Sequence, residues 1–192
     1  MEQQRTVVFA MCGSFCTFDK VIVQVRRLVE QGFRVLPLMS FAAAGMDTRF
    51  GTARGWKDQL RLITGYTPIE TLQEAEPLGP KNMADAMIVA PCTGATLGRL
   101  ANGISDTPVT LGVKSMLRGG KPIVLAVSTN DGLGASLVNL GTLLNRKHYY
   151  LVPVSQDAPL KKPTSLQSDF ALLPDVLECA LRGRQFQPVL LS

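Results

Sequence analysis

The sequence predicts an α/β protein built on a three-layer, doubly wound parallel sheet of the Rossmann-like kind. Three observations indicate it: short, continuously apolar runs, helical spacing of apolar residues between them, and glycine or proline where the patterns change. Strands that are apolar on both faces are typical of parallel sheets, because each parallel connection crosses over through a helix. With 192 residues, 46% of them hydrophobic, we predict one domain over residues 1–192.

The first half of the chain alternates strands with helices. Thr6 to Met11 is an apolar run that leads into Gly13-Ser14, and apolar residues at helical spacing follow until Gly32. Phe33 to Met39 is the second apolar run, and Ala86 to Ala90 is the third. We therefore predict three buried strands in this half.

The second half continues the alternation. Its predicted helices are a weakly amphipathic stretch ending at Asn102-Gly103, Pro108 to Arg118, a segment around Leu137 to Leu144, and Phe170 to Leu181. Its predicted strands are Pro122 to Val127 and Tyr149 to Val154. The residues from Asp157 to Ser168 predict a long mobile or lid-like loop.

The composition argues against several classes of protein. The net charge of +5 comes from dispersed Lys and Arg without interleaved aromatic residues, which does not favour nucleic-acid binding. No apolar run approaches the roughly 20 residues of a membrane span, and the first residues do not resemble a secretory signal. We expect a cytoplasmic protein with four reduced cysteines and no metal site, since the C-x3-C pair lacks a second ligand pair.

Small and hydroxyl-bearing residues follow the predicted strands. In an open parallel sheet, ligands bind beyond the carboxyl ends of the strands. The residues found there are Gly13-Ser14, Ser40, Pro91 to Gly94, and Ser128 to Gly132. Two of these loops open helices, whose N–H groups favour phosphate, and the spaced glycines of a dinucleotide site are absent. The pattern predicts a mononucleotide pocket; the alternative is a set of ordinary turn residues.

One long segment resembles a known family. Ala90 to Asp106 is similar to the pattern A-P-x-T-A-N-T-x-x-K-x-A-x-G-x-x-D of flavoproteins that include FMN-dependent cysteine decarboxylases and flavin prenyltransferases, although Ala95 stands where that family has Asn. The resemblance implies a homo-oligomer with FMN as cofactor. It implies these cofactor contacts: Gly13, Ser14, Ser40, Pro91, Thr93 and Thr96. Ser128 is a further predicted cofactor contact, because it directly follows a predicted strand.

Further segments resemble one branch of these flavoproteins, the second component of a two-component enzyme that makes pyridine-2,6-dicarboxylate during sporulation. They are Asp47 to Gly51, Thr64 to Tyr66, Ala75 to Lys81, Ala126 to Asp131, Gln156-Asp157 and Lys161 to Pro163. The resemblance implies a Rossmann-type partner chain, an NAD(P) cofactor carried through that partner, a dihydropyridine dicarboxylate as substrate, and the mother cell as location.

Oxidation of such a ring needs a hydride acceptor, a proton acceptor and cations that hold two carboxylates. We predict Asn130 as a residue that orients the substrate, and Asp131 or Asp106 as the proton acceptor. Arg49, Lys81 and Lys114 are the candidate carboxylate ligands. The alternative for each cation is a plain surface role, and for Asp131 a turn-forming role.

The decarboxylase chemistry of the family is not expected here. His148 is the single histidine and precedes a predicted strand, so we expect it to be structural or exposed. Two other hypotheses stay open: a non-catalytic chain that activates or scaffolds its partner, and a flavoprotein that transfers a prenyl group. Cys16 and Cys92 are expected to be ordinary thiols rather than nucleophiles.

Overall fold

A computed structural model describes residues 4–191, and a mostly parallel sheet forms its centre. Five strands run parallel in the order β2-β1-β3-β4-β5. Their bounds are β1 (Thr6–Met11), β2 (Arg34–Met39), β3 (Ala86–Cys92), β4 (Ile123–Thr129) and β5 (Tyr149–Leu151). Two short strands, β6 (Val154–Ser155) and β7 (Leu166–Ser168), add an antiparallel extension in which β7 pairs with the carboxyl end of β4.

Helices cover both faces of the sheet. They are α1 (Phe18–Glu30), α2 (Phe41–Gly45), α3 (Ala53–Thr64), α4 (Leu72–Ala75), α5 (Gly94–Ala101), α6 (Pro108–Arg118), α7 (Ala135–Leu144) and α8 (Leu173–Leu181). Side chains of α1, α3 and α8 share one apolar core with the sheet, and those of α4 to α7 share another. The predicted doubly wound α/β fold is confirmed.

Alternation along β1 shows how one strand supplies both cores. Val7, Phe9 and Met11 pack into the core of α1, α3 and α8. Val8 and Ala10 point to the opposite face and pack into the core of α4 to α7. Because successive side chains of a strand point to opposite faces, a strand buried on both sides must be apolar at every position.

Helix α3 lies in a segment for which the sequence analysis assigned no element. Its apolar side is formed by Trp56 and Leu60, both buried. The Thr52 side chain accepts a hydrogen bond from the N–H of Gly55 at its start, and Gly65 ends it at φ +76°. These are ordinary helix signals, so the segment was predictable.

The predicted strand from Tyr149 to Val154 was wrong as a single element. The ladder with β4 ends where the Val152 N–H bonds to the Leu125 oxygen, 2.9 Å away. Pro153 has no N–H to continue it, and the chain turns into β6.

None of the helices between residues 4 and 191 is long and apolar enough to cross a bilayer.

The predicted loop from Asp157 to Ser168 was wrong at its end, which forms β7. The residues before β7 are also fastened to the turn after β4. The Thr164 hydroxyl donates to the Asn130 oxygen at 2.7 Å, and the Ser165 hydroxyl donates to the Thr129 oxygen at 3.3 Å. This segment therefore forms a wall beside the carboxyl end of β4.

Candidate functional site

Three turns meet at the carboxyl edge of the sheet and enclose a cavity of about 220 Å³. The hydroxyl oxygens of Ser14 and Ser128 lie 2.8 Å apart although the residues are 114 positions apart in the chain. Gly13 and Thr93 line the same cavity. The parallel sheet thus brings the turns after β1, β3 and β4 to one place.

The turn after β1 is tight and held by its own backbone. The Ser14 N–H donates to the Cys12 oxygen at 2.8 Å, and the Thr17 hydroxyl donates to the Ser14 oxygen at 2.8 Å. The Cys12 N–H in turn donates to the Pro91 oxygen at 3.2 Å, which joins the ends of β1 and β3. Pro91 contributes its carbonyl oxygen to this contact and is not among the residues that line the cavity.

Thr93 begins helix α5 at the floor of the cavity. Its hydroxyl oxygen accepts from the Thr96 N–H at 3.3 Å and lies 3.1 Å from the Thr96 hydroxyl. Thr96 is buried, and its hydroxyl donates to the Cys12 sulfur at 3.3 Å. The N-terminal end of α5 is thus directed at the cavity, an arrangement that favours an anion.

Gly94 allows this helix end to approach the turn after β4. A Cβ atom on Gly94 would lie 2.6 Å from the Ser136 hydroxyl, 2.7 Å from the Asp131 carboxylate and 2.8 Å from the Thr129 hydroxyl. Such distances are too short for any side chain. A glycine is therefore required at the first position of α5 if this packing is to be kept.

Asp131 is engaged in hydrogen bonds rather than directed into the cavity. Its carboxylate accepts from the hydroxyls of Thr129 and Ser136, the second at 2.9 Å. These bonds, the one from Thr129 first, lower the pKa of Asp131 below its usual value. Asn130, by contrast, is exposed and lines the cavity.

The segment before β7 contributes a fourth wall that the sequence analysis did not assign to the site. Lys162 and Asp157 line the cavity, and the Lys162 ammonium lies 3.0 Å from the Asp157 carboxylate. Hydrogen bonding from Ser165 first, and then from Lys162, lowers the pKa of Asp157. The residues of this wall do not follow a parallel strand, so their position along the chain did not predict a place at the carboxyl edge. The one signal was that Gln156-Asp157 and Lys161 to Pro163 carry part of the family resemblance.

The two buried thiols lie beneath the cavity. Burial raises the pKa of Cys12 to about 11 and also raises the pKa of Cys92. Both thiols stay protonated near pH 7 and are poor nucleophiles. Within residues 4–191 no three His, Cys, Asp or Glu side chains form a group that could hold a metal ion.

Two further sequence candidates lie near the carboxyl edge but outside the cavity lining. Ser40 caps α2 by accepting from the Ala43 N–H at 3.2 Å, and its own N–H donates to the Met11 oxygen at 2.9 Å. Arg49 is exposed in the loop after α2 and stacks over the Phe50 ring at 4.8 Å.

The structure does not bring Lys81 and Lys114 to this cavity. Lys81 is exposed in the loop that leads into β3, at the amino edge of the sheet. Lys114 lies on α6 and lines a different cavity together with Arg146 and Tyr149. His148 is exposed in the turn before β5, and Asp106 pairs with Arg99 at 3.0 Å.

Comparison with known proteins agrees with this geometry. The family model described as Flavoprotein matches residues 1–152. The B subunit of dipicolinate synthase from Bacillus subtilis (strain 168) is 40% identical over 188 residues, which cover 98% of this chain and 94% of that protein.

Solved structures show the same relationship. The crystal structure of the B subunit of dipicolinate synthase from Bacillus halodurans C aligns with a TM-score of 0.90 and 41% identity, covering 98% of this chain and 96% of the other. An FMN-dependent cysteine decarboxylase, SpaF, aligns with a TM-score of 0.68 and 21% identity over 93% of this chain and 97% of the other, which shows the shared fold alone. The chain therefore belongs to the flavoprotein family and, within it, to the family of the dipicolinate synthase B subunits.

Proposed function

We propose that this chain binds FMN and acts with the A subunit of dipicolinate synthase to oxidise dihydrodipicolinate to dipicolinate in the mother cell of a sporulating bacterium. In this proposal the A subunit supplies NAD(P). The observation that supports it best is the meeting of the Ser14, Thr93 and Ser128 turns at one cavity, in a chain that the Flavoprotein family model matches over residues 1–152.

The cavity fits a phosphate group. The hydroxyls of Ser14 and Ser128 can both donate and accept hydrogen bonds, and the N-terminal end of α5 adds a positive dipole. Lys162 also lines the cavity, where its ammonium is paired with Asp157 and would have to turn towards a bound phosphate. The volume of the cavity, about 220 Å³, is below the roughly 300–1,000 Å³ usual for cofactor pockets. The cavity therefore suits the phosphate end of the flavin rather than the whole cofactor. A bound flavin would supply a two-electron redox centre.

Asn130 is the residue we assign to substrate orientation. It is exposed at the rim of the cavity. The Thr164 hydroxyl bonds to its carbonyl oxygen, so the backbone from which the side-chain amide extends is held in place. Asp131 is the proton acceptor we propose, and its lowered pKa makes it a weak base.

Arg49 is the carboxylate ligand we propose, because its loop comes after β2 and α2, whereas Lys81 lies in the loop that leads into β3 and Lys114 lines the other cavity. The loop of Arg49 and the helix α2 before it expose apolar side chains: Phe41 and Met46 are each 52% exposed and Phe50 is 39% exposed. A patch of this kind supports the homo-oligomer we propose, in which another copy of the chain covers it.

The flavin assignment is tested with the purified protein. We expect an absorption band near 450 nm, roughly where oxidised flavins absorb. Ser128→Ala should weaken FMN binding roughly tenfold, since one hydrogen bond to a charged group is lost. Thr142→Ala removes a hydroxyl that bonds within α7 and serves as the control. Equal FMN affinity in the two variants would contradict the site.

A non-catalytic activating role is the second candidate. Two observations favour it: Asp131 is engaged by Thr129 and Ser136, and Ala95 stands where the family pattern has Asn. Reconstitution with the A subunit, nicotinamide cofactor and substrate separates the candidates. If the chain takes part in the oxidation, Asn130→Ala should lower the rate at least roughly tenfold, whereas a scaffold tolerates it. Lys147→Ala, an exposed change in the turn before β5, is the control.

A further inference from the structure

A second cavity of about 250 Å³ opens on the face of the sheet covered by α5, α6 and α7. It lies between the C-terminal end of α5, one side of α6 and the first residue of β5. Leu100 and Val113 are buried side chains of its apolar wall. No residue of this cavity belongs to the lining of the carboxyl-edge cavity.

The charged residues that line this cavity are both cations. They are Lys114 and Arg146, and the lining includes neither Asp nor Glu. Neither cation forms a salt bridge with any residue in the described range, 4–191. Two positive charges without a carboxylate partner, placed beside apolar surface, attract an anion more strongly than dispersed surface cations do.

Arg146 is fixed in place by the end of a helix. Its guanidinium donates to the Leu100 oxygen at 3.2 Å and to the Ala101 oxygen at 2.8 Å. The negative end of α5 offsets part of its charge. The remaining N–H groups of the guanidinium are free to meet a second acceptor, and their direction is set in advance.

Two hydroxyls complete the polar side of the cavity. Tyr149 is buried, and burial raises the pKa of its hydroxyl to about 12 while Arg146 opposes the shift. The hydroxyl therefore remains a hydrogen-bond donor at neutral pH. The Ser105 hydroxyl lies 3.4 Å from the Lys114 ammonium.

We propose that this cavity is a second binding site, which takes a small aromatic carboxylate. The ring packs on Ile104 and Leu117, the accessible apolar side chains of the lining, and the carboxylate lies among Lys114, Arg146 and the Tyr149 hydroxyl. Such a site combines an apolar wall with a few convergent donors, which is the usual make-up of a small-molecule pocket. It is independent of the flavin and of the oxidation proposed above.

Lysine footprinting of the full-length protein tests the site directly. Pyridine-2,6-dicarboxylate and benzoate are the probes, and acetylation of each lysine is followed by mass spectrometry. At saturation we expect acetylation of Lys114 to fall about fivefold, since a bound carboxylate covers and pairs the ammonium. Lys147 and Lys81, which lie outside the cavity lining, should react as before.

Calorimetry of two variants provides the second readout. Lys114→Ala and Tyr149→Phe should each weaken binding of the probes roughly tenfold, because each removes one donor to the carboxylate. FMN binding should be unchanged in both, which separates failure of this site from failure of the flavin assignment. Tyr149→Phe keeps the buried aromatic ring, so we expect the variant to fold like the native protein. Unchanged reactivity of Lys114 at saturating probe, or unchanged affinity in both variants, would overturn the proposal.

Discussion

The two cavities of this molecule offer an anion different surroundings. The carboxyl-edge cavity presents hydroxyls and the start of α5, and its cation Lys162 is already paired with Asp157. The second cavity presents an apolar wall and two cations that have no carboxylate partner within residues 4–191. Oriented N–H and O–H groups suit a phosphate, whereas cations on an apolar wall suit a carboxylate on a ring.

The difference follows from which helix end each cavity contains. The carboxyl-edge cavity lies at the N-terminal end of α5, where backbone N–H groups supply the positive potential. The second cavity lies at the C-terminal end of the same helix, where carbonyls supply a negative potential. Arg146 donates to two of those carbonyls at the second cavity, and it also provides the charge for a ligand.

Gly94→Ala should have the largest effect on the carboxyl-edge cavity. The added Cβ would separate α5 from the turn after β4 and break the hydrogen bonds of Asp131 with Thr129 and Ser136. We expect the free energy of unfolding to fall by about 2 kcal/mol and FMN binding to be lost. Urea unfolding and flavin absorbance measure the two effects.

Gly98→Ala is the matched control on the same helix. A Cβ atom on Gly98 would lie 3.5 Å from the Asn139 side chain, its nearest neighbour, which is an ordinary van der Waals contact. We expect a gain of up to about 1 kcal/mol, since alanine favours a helix interior. Equal free energies of unfolding for Gly94→Ala and Gly98→Ala would contradict the close approach of α5 to the turn after β4.

Asp131→Asn should have a smaller effect that depends on pH. The variant loses the charge that accepts two hydroxyl hydrogen bonds, which we expect to cost about 1 kcal/mol at this exposed position. The folded state lowers the pKa of Asp131, so its contribution is present above the unfolded pKa of about 3.9 and is lost as pH falls through the folded value.

The free energies of unfolding of the native protein and Asp131→Asn should therefore differ at pH 6, begin to converge below about pH 4, and converge fully only below the folded pKa of Asp131. Denaturant unfolding at a series of pH values measures this. Ser136→Ala removes one of the two donors and should show part of the same pH dependence. A difference that persists unchanged into acid would mean that the carboxylate charge contributes nothing.

Arg146→Met should have the smallest effect on stability and should act at the other end of α5. The change removes the donors to the last carbonyls of the helix, which we expect to cost about 0.5 kcal/mol. Lys147→Met changes the exposed residue next to Arg146, and the free energy of unfolding should change by less than in Arg146→Met. Thermal unfolding of both variants measures the contrast, and FMN binding should be unchanged because the carboxyl-edge cavity is remote.

The sequence predicted the fold well and the site in part. Thr6–Met11 and Pro108–Arg118 agree in both bounds, because local periodicity and caps define such elements. Ser14 and Ser128 meet because parallel strands present their carboxyl ends at one edge. The β6 and β7 pairings were missed, since short antiparallel strands at the end of a sheet carry almost no periodic signal.

The positions of the cations were the least predictable feature. Arg49, Lys81 and Lys114 were predicted together as carboxylate ligands, yet they lie at three different places. Lys162, which lines the carboxyl-edge cavity, lies in a segment that was expected to be mobile. An exposed long side chain is placed by the packing of the element beneath it, and sequence patterns describe that packing poorly.

The order of strands and helices, their buried faces and the hydroxyl-bearing turns all follow from the amino-acid sequence, because they depend on interactions between residues near one another in the chain. Three other features come from the folded packing: hydroxyl donors occupy Asp131, the segment before β7 closes the carboxyl-edge cavity, and Lys114 joins Arg146 in a separate cavity. Those features depend on contacts between distant segments, which form only when the helices pack on the sheet.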